Sequence, residues 1–307
     1  MAGSRHGNRR TATRWARLLR ELGHRVKVQV AWDGAAADVL VALHARRSHE
    51  SVVRFARARP ACPIVLVLTG TDLYRDVRSD AGARESMALA TRMVVLQDLG
   101  LRELAPSLRA KTRVIYQSAR APAAQATLER GFEIVVSGHL RKEKDPFRAA
   151  LALAHLPPAS RIRVTHIGGA MSPEMARAAR AWSAREPRYR WLGELPHPRA
   201  LRILARARLM VISSRMEGGA NVICEALAAG TPVIASRVSG NIWMLGARYA
   251  GFYPLGNERA LARLMRRAEN DRIFYRKLGV QCRQRRALMT PRREREGLRR
   301  LLAELVS

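Results

Sequence analysis

Short runs of β-branched and other apolar residues alternate with stretches of helical period along the whole chain. Apolar runs of four to six residues, closed by glycine, proline or polar residues, fit strands buried on both faces. The stripes between them, with apolar residues three and four apart, fit helices that cover such a sheet. In the first half this pattern predicts strands at 26–31, 39–43, 64–68, 93–96 and 113–116, with helices at 11–22, 48–59, 84–91 and 99–108. A segment rich in alanine, 118–130, reads as a linker. In the second half, strands are predicted at 133–136, 163–167, 190–192, 209–212, 232–235 and 252–253. The helices there fall at 147–155, 173–185, 198–208, 220–229 and 258–268, and a last basic amphipathic helix at 291–306. Strictly alternating strands and helices imply α/β units on parallel sheets. The predicted fold class is α/β with two Rossmann-like domains facing across a cleft. An N-terminal domain is expected over 1–125, a C-terminal domain over 126–290, and over 291–307 a helix that crosses back to the first domain.

Composition narrows the function class. At 307 residues the chain is long enough for two full cores. No run of about 18 apolar residues and no apolar leader occurs, so neither membrane insertion nor secretion is expected, and a cytoplasmic location is. Cys62, Cys224 and Cys282 stand far apart without metal or redox spacing. The formal net charge is +31, from 56 Lys and Arg against 25 Asp and Glu. That charge raises a nucleic-acid-binding alternative. The basic residues are nearly all arginine and are spread over most helices. No aromatic residues are interleaved as a base-stacking platform requires, so no specific nucleic acid is expected as a partner.

The chemistry concentrates in the second half. Ser213–Ser236 reads as a strand end, a glycine loop, a helix and a second buried strand. A loop of small residues opening a helix is an anion site, because its amide N–H groups and the positive end of the helix dipole face the ligand. Gly218, Gly219, Ala220 and Asn221 would supply that loop. Glu217, before the turn, can accept sugar hydroxyls, and Glu225, about two turns on, can accept both hydroxyls of a ribose. A phosphate held between two sugars is a nucleotide-sugar.

These residues resemble the donor motif of family-4 glycosyltransferases, in which two glutamates are separated by seven residues. The match continues unbroken through Gly230-Thr231-Pro232-Val233-Ile234-Ala235. Upstream, Val135–Pro146 is similar to the strand-to-helix loop that supplies a diphosphate-binding Arg and Lys in that family. Lys144 falls on the lysine; His139 stands at the arginine position, with Arg141 two residues later. The resemblance implies a GT-B architecture and a metal-independent, cofactor-free enzyme. Three further segments, Gly7-Asn8-Arg9-Arg10-Thr11, Leu43–Ser48 and Leu68–Tyr74, resemble the selenosugar synthases of selenoneine biosynthesis. That resemblance implies transfer of a sugar from UDP-N-acetylglucosamine or UDP-glucose to selenophosphate, with formation of a carbon–selenium bond.

On this reading the acceptor pocket needs anion donors, and the candidates are Gly7, Asn8, Arg9, Arg46, Thr69 and Gly70. Many relatives carry His-Gly where this chain has Thr69-Gly70. A selenophosphate is already an anion, so it needs no base to remove a proton. His44, Thr71 and Asp72 are the catalytic candidates, with His44 or Asp72 positioning water to remove phosphate from selenium. His44 ends a strand, and a hydrogen-bonded core histidine is its other reading. An ordinary family-4 transferase acting on a hydroxyl is the first alternative. Gly7-Asn8-Arg9 is expected as the turn between a first strand and a first helix, yet only six residues precede it. The expectation is a missing first strand and a natural chain that begins earlier.

Overall fold

The computed structural model describes residues 5–122 and 131–306. Of the expected linker, residues 123–130 lie outside the described residues. The chain divides into two compact units. One comprises Met1–Ser118, Glu217–Gly219 and Leu288–Ser307, the other Ala119–Met216 and Ala220–Ala287. Each holds a parallel sheet.

In the first unit, α1 (Arg5–Glu21) leads to β1 (Leu40–Leu43), α2 (His49–Ala58) and β2 (Ile64–Leu68). A single π turn, Asp72–Asp76, then runs into a short α3 (Val77–Ser79) and α4 (Ala81–Leu89). Next come β3 (Arg92–Val95), a 3₁₀ turn (Asp98–Glu103), α5 (Pro106–Ala110) and β4 (Thr112–Val114). The sheet order is β1-β2-β3-β4, all parallel. Side chains alternate between its faces. Leu66, Leu68, Met93 and Val95 pack with Phe55 and Val52 of α2. Val65, Val67, Val94 and Leu96 pack instead with Trp15 and Leu18 of α1.

In the second unit, β5 (Phe132–Ser137) is followed by a 3₁₀ turn (Lys142–Lys144), α6 (Arg148–Leu153), β6 (Ile162–Ile167), α7 (Pro173–Arg185) and β7 (Tyr189–Trp191). The chain continues through α8 (His197–Arg206), β8 (Leu209–Ile212), α9 (Asn221–Ala229), β9 (Val233–Ser236) and α10 (Ser239–Leu245). It ends with β10 (Phe252–Tyr253), α11 (Glu258–Asn270) and α12 (Arg272–Arg286). The sheet order is β10-β9-β8-β5-β6-β7. Its direction reverses between β5 and β8, which creates the switch point where open α/β sheets bind ligands.

The last helix, α13 (Pro291–Val306), belongs to the first unit. Its Leu298 and Leu301 join the core with Trp15 and Leu18. A buried carboxylate fixes it: Glu294 accepts from Arg14 Nε at 2.9 Å, Trp15 Nε1 at 2.8 Å and the Ser118 backbone N–H at 3.1 Å.

Three expectations are corrected. Residues 26–31 form no strand: they run unpaired, with Val28 and Val30 exposed at 49% and 83%. A valine alternation makes a strand only where a neighbour can take its hydrogen bonds, and among the described residues β1 is the sheet edge. The helix expected at 99–108 is split at Pro106, which cannot continue a helix begun before it but is preorganised to open α5. Gly7, Asn8 and Arg9 form no turn; they lie in the first turns of α1.

Candidate functional site

In the second unit the loops after β5 and β8 lie side by side at the switch point. The hydroxyl of Ser213, just past β8, reaches the carbonyl oxygens of Lys144 and Asp145 at 3.1 and 2.8 Å. The Arg215 N–H donates to the Glu143 carbonyl at 2.9 Å. Ser236 donates to the Ser214 carbonyl at 2.6 Å, and Asn241 donates to Ser236 from behind. Gly138, His139, Lys144, Ser213 and Ser214 line a recess between the two loops. Arg141 precedes the 3₁₀ turn that carries Lys144, and its Nε is buried with no hydrogen-bond partner among the described residues. Asp145 closes that turn in the left-handed region, at φ 45°.

Two residues that sequence reasoning missed hold the β5 loop. His166 on β6 is 1% exposed and touches the Gly138 carbonyl through Nε2 at 3.3 Å. A carbonyl only accepts, so Nε2 carries the proton, and Nδ1 accepts from the Tyr189 hydroxyl at 2.8 Å. Burial depresses the imidazole to about 4. Gly168 then approaches the same carbonyl so closely, at φ 147°, that a Cβ there would overlap it. Neither residue carries a sequence signal beyond its place at a strand end, because their role depends on the neighbouring strand.

Helix α9 opens at Ala220, its N-cap, which has no side-chain oxygen to offer the first-turn amides. Asn221 is its first residue. Glu225, one turn further, is 7% exposed and meets His197 Nε2 at 3.0 Å. Glu217, Gly218 and Gly219 group with the first unit, where Glu217 is 7% exposed. A Cβ on Gly218 would come within 2.7 Å of Gly70 Cα and the Thr69 carbonyl oxygen, so only glycine fits there. Gln117, another residue missed in the sequence, donates to the Gly219 carbonyl at 3.0 Å and accepts from Arg14 at 2.8 Å.

A second cluster forms at the ends of β1 and β2. His44 has φ 81°, a conformation that costs a non-glycine residue about 1–3 kcal/mol and collects at functional sites. It is 2% exposed; Nε2 lies 3.0 Å from the Thr71 hydroxyl and Nδ1 has no hydrogen-bond partner among the described residues. Burial lowers its affinity for a proton, outweighing the attraction of Asp72. The Asp72 carboxylate receives the backbone N–H groups of Ala45 at 3.1 Å, Thr69 at 3.0 Å and Gly70 at 2.7 Å. It thereby ties the β1 and β2 loops together. Asp76 was also missed. It receives Arg46 Nε and Arg75 Nε, each at 3.0 Å. Burial pushes its carboxyl up, but those two guanidinium groups outweigh it and hold it below the usual range. Thr69, Gly70, Thr71, Asp72, His44 and Arg46 are therefore brought together, whereas Gly7, Asn8 and Arg9 lie on α1.

Among the described residues no group of three His, Cys, Asp or Glu could hold a metal ion. The family model of the group 1 glycosyl transferases matches residues 118–285, more than half of the chain. The chain belongs to that family. No curated protein matches it in sequence. Solved structures share its fold. Anabaena HepE in complex with UDP superposes with a TM-score of 0.70 at 18% identity, over 88% of this chain and 78% of that one. The sucrose-phosphate synthase of Thermosynechococcus elongatus gives 0.70 at 21% identity, over 88% and 74%. The pneumococcal O-GlcNAc transferase GtfA, in complex with UDP and GlcNAc, gives 0.68 at 14% identity, over 87% and 57%. The two sheets are the two Rossmann-like domains of a GT-B glycosyltransferase. Both loops at the switch point of this group 1 transferase, and helix α9 with it, lie within the matched segment.

Proposed function

We propose that the protein transfers the sugar of a UDP-sugar, UDP-N-acetylglucosamine or UDP-glucose, to selenophosphate, making a selenosugar for selenoneine synthesis. The observation that carries the donor half is the switch point itself. There Lys144 and the orphaned Nε of Arg141 stand on one loop, and α9 begins without a side-chain cap beyond the other. Cations and first-turn amides are the groups that stabilise a departing diphosphate. HepE has been solved with UDP and with UDP-glucose, which supports the same donor class here. Glu225 takes the ribose hydroxyls and Glu217 the transferred sugar.

The acceptor half rests on the resemblance of the segments around Asn8, His44 and Thr69, and on the chemistry of the second cluster. Selenium attacks the anomeric carbon, the bond from that carbon to the diphosphate oxygen breaks, and UDP leaves with the electron pair. Water then attacks phosphorus and releases phosphate, leaving a selenol on the sugar. On this reading the uncharged, strained imidazole of His44 accepts the proton of that water. Asp72, occupied by three backbone amides, acts by holding His44 and Thr71 in place.

His44 also favours a second reading, in which the acceptor is a hydroxyl whose proton the imidazole removes. Steady-state UDP release separates the two. With UDP-N-acetylglucosamine, selenophosphate is expected to raise the rate at least about tenfold over an equal concentration of phosphate. Stimulation by a sugar alcohol and none by selenophosphate would replace the first reading with the second.

A further inference from the structure

Helices α8 and α9 pack against each other in the second unit, and one polar contact joins the start of α8 to the middle of α9. His197 is the first residue of α8, set by the extended Pro196 before it and by Pro198 after it. Proline fixes the backbone on both sides, so the imidazole leaves the helix in a defined direction. Its side chain is 45% exposed, while that of Glu225 is 9% exposed. Nε2 sits 3.0 Å from Glu225 Oε1. A carboxylate only accepts, so Nε2–H donates.

This contact constrains what Glu225 can do. A carboxylate on a free helix face turns about its last bonds, and bidentate recognition of two neighbouring hydroxyls needs both oxygens in a fixed plane. A donor held on a second helix restrains that rotation. We propose that His197 is a positioning residue for nucleotide selection: by donating to Glu225 Oε1 it presets the carboxylate for the two vicinal hydroxyls of a ribose. The inference rests on the reading of Glu225 as the ribose acceptor. It adds that discrimination for the ribose diol is held jointly by α8 and α9.

The test compares binding of UDP and of 2′,3′-dideoxy-UDP by titration calorimetry, in the full chain and in two variants. Wild-type protein should prefer UDP. His197→Ala should weaken UDP by about tenfold, the worth of one hydrogen bond to a charged group, and leave the dideoxy compound within about twofold. His197→Gln keeps an N–H donor and should restore UDP binding to within about threefold of wild type. Equal weakening of both ligands by His197→Ala, or no change in either, overturns the positioning role while leaving the donor site intact. The same holds if His197→Gln behaves like His197→Ala. Wild-type protein that binds no UDP overturns the donor reading, and this inference with it. His197 is partly exposed and outside the core, so the variants test binding rather than folding.

Discussion

In the second unit the strand order reverses between β5 and β8, whereas among the described residues of the first it runs β1-β2-β3-β4 without a reversal. The reversal splays the loops after β5 and β8 apart and leaves room for a ligand. Those loops carry Arg141, Lys144 and the run into α9. A sheet without a reversal has no such opening, and in the first unit the polar cluster at the ends of β1 and β2 is closed instead. Asp72 and His44 there are 0% and 2% exposed, and backbone amides fill Asp72. One sheet therefore presents a charged loop pair, and the other a buried, strained imidazole. The first suits binding of a polyanion, and the second suits a proton or water step.

The comparison can be broken most sharply in the first unit. Glu294→Ala removes the shared acceptor of Arg14, Trp15 and the Ser118 N–H, leaving a partly buried guanidinium and two buried donors without it, which costs about 3–5 kcal/mol. Hydrogen exchange should rise across α1 and α13 while β5 and β6 stay protected. Unchanged exchange in α1 would mean that α13 is held by its leucines alone.

Lys144→Ala is the corresponding change in the second unit. On the proposed reading Lys144 stabilises the leaving diphosphate, so its loss should lower kcat/KM for the UDP-sugar by about 10²–10³-fold, with little effect on stability. A loss below threefold would remove Lys144 from the site.

The pH dependence separates the units further. His166 is depressed to about 4 in the folded protein, below the 6.5 of an unfolded imidazole. The unfolded chain therefore takes the proton first. The stability that the neutral ring supplies is complete above pH 6.5 and is lost as pH falls towards 4, by up to about 3 kcal/mol. His166→Asn should flatten the decline in that window when denaturant midpoints are followed through exchange of β5 and β6. An unaltered slope would show that other groups cause it.

The smallest effect is expected at residues 26–31. Val28→Thr and Val30→Thr should change stability by less than about 0.5 kcal/mol, because both valines are exposed. Ile134→Ala in β5, at 0% exposure, should cost about 2–4 kcal/mol. A comparable cost at Val30 would mean that the segment pairs with a strand in solution.

That contrast also shows what sequence alone could carry. Residues 26–31 alternate valine with polar residues and 133–136 carry a continuous apolar run at 134–136; both are strand patterns, yet only the second is a strand, because β6 and β8 flank it. Pattern reports which residues can be buried; pairing depends on what lies beside them. Helices α10 and α12 were not expected, although Asp271 caps α12 by accepting the Phe274 N–H at 2.9 Å. The π turn at Asp72–Asp76 had no local signature either. At the site, the run from Ser213 to Ala229 was legible because its glycines, glutamates and helix are contiguous. His166, His197, Gln117 and Asp76 were not, since each matters through a partner 28 or more residues away in three of these contacts and 102 in the fourth.

The measurement that bears most directly on the proposed chemistry is the mass of the product formed from UDP-N-acetylglucosamine and selenophosphate. The expected result is a sugar carrying selenium, identified by its isotope pattern, formed together with equal amounts of UDP and phosphate. Free N-acetylglucosamine with no selenium-bearing sugar would contradict the acceptor, and leave a group 1 glycosyl transferase whose nucleophile must be sought among hydroxyls.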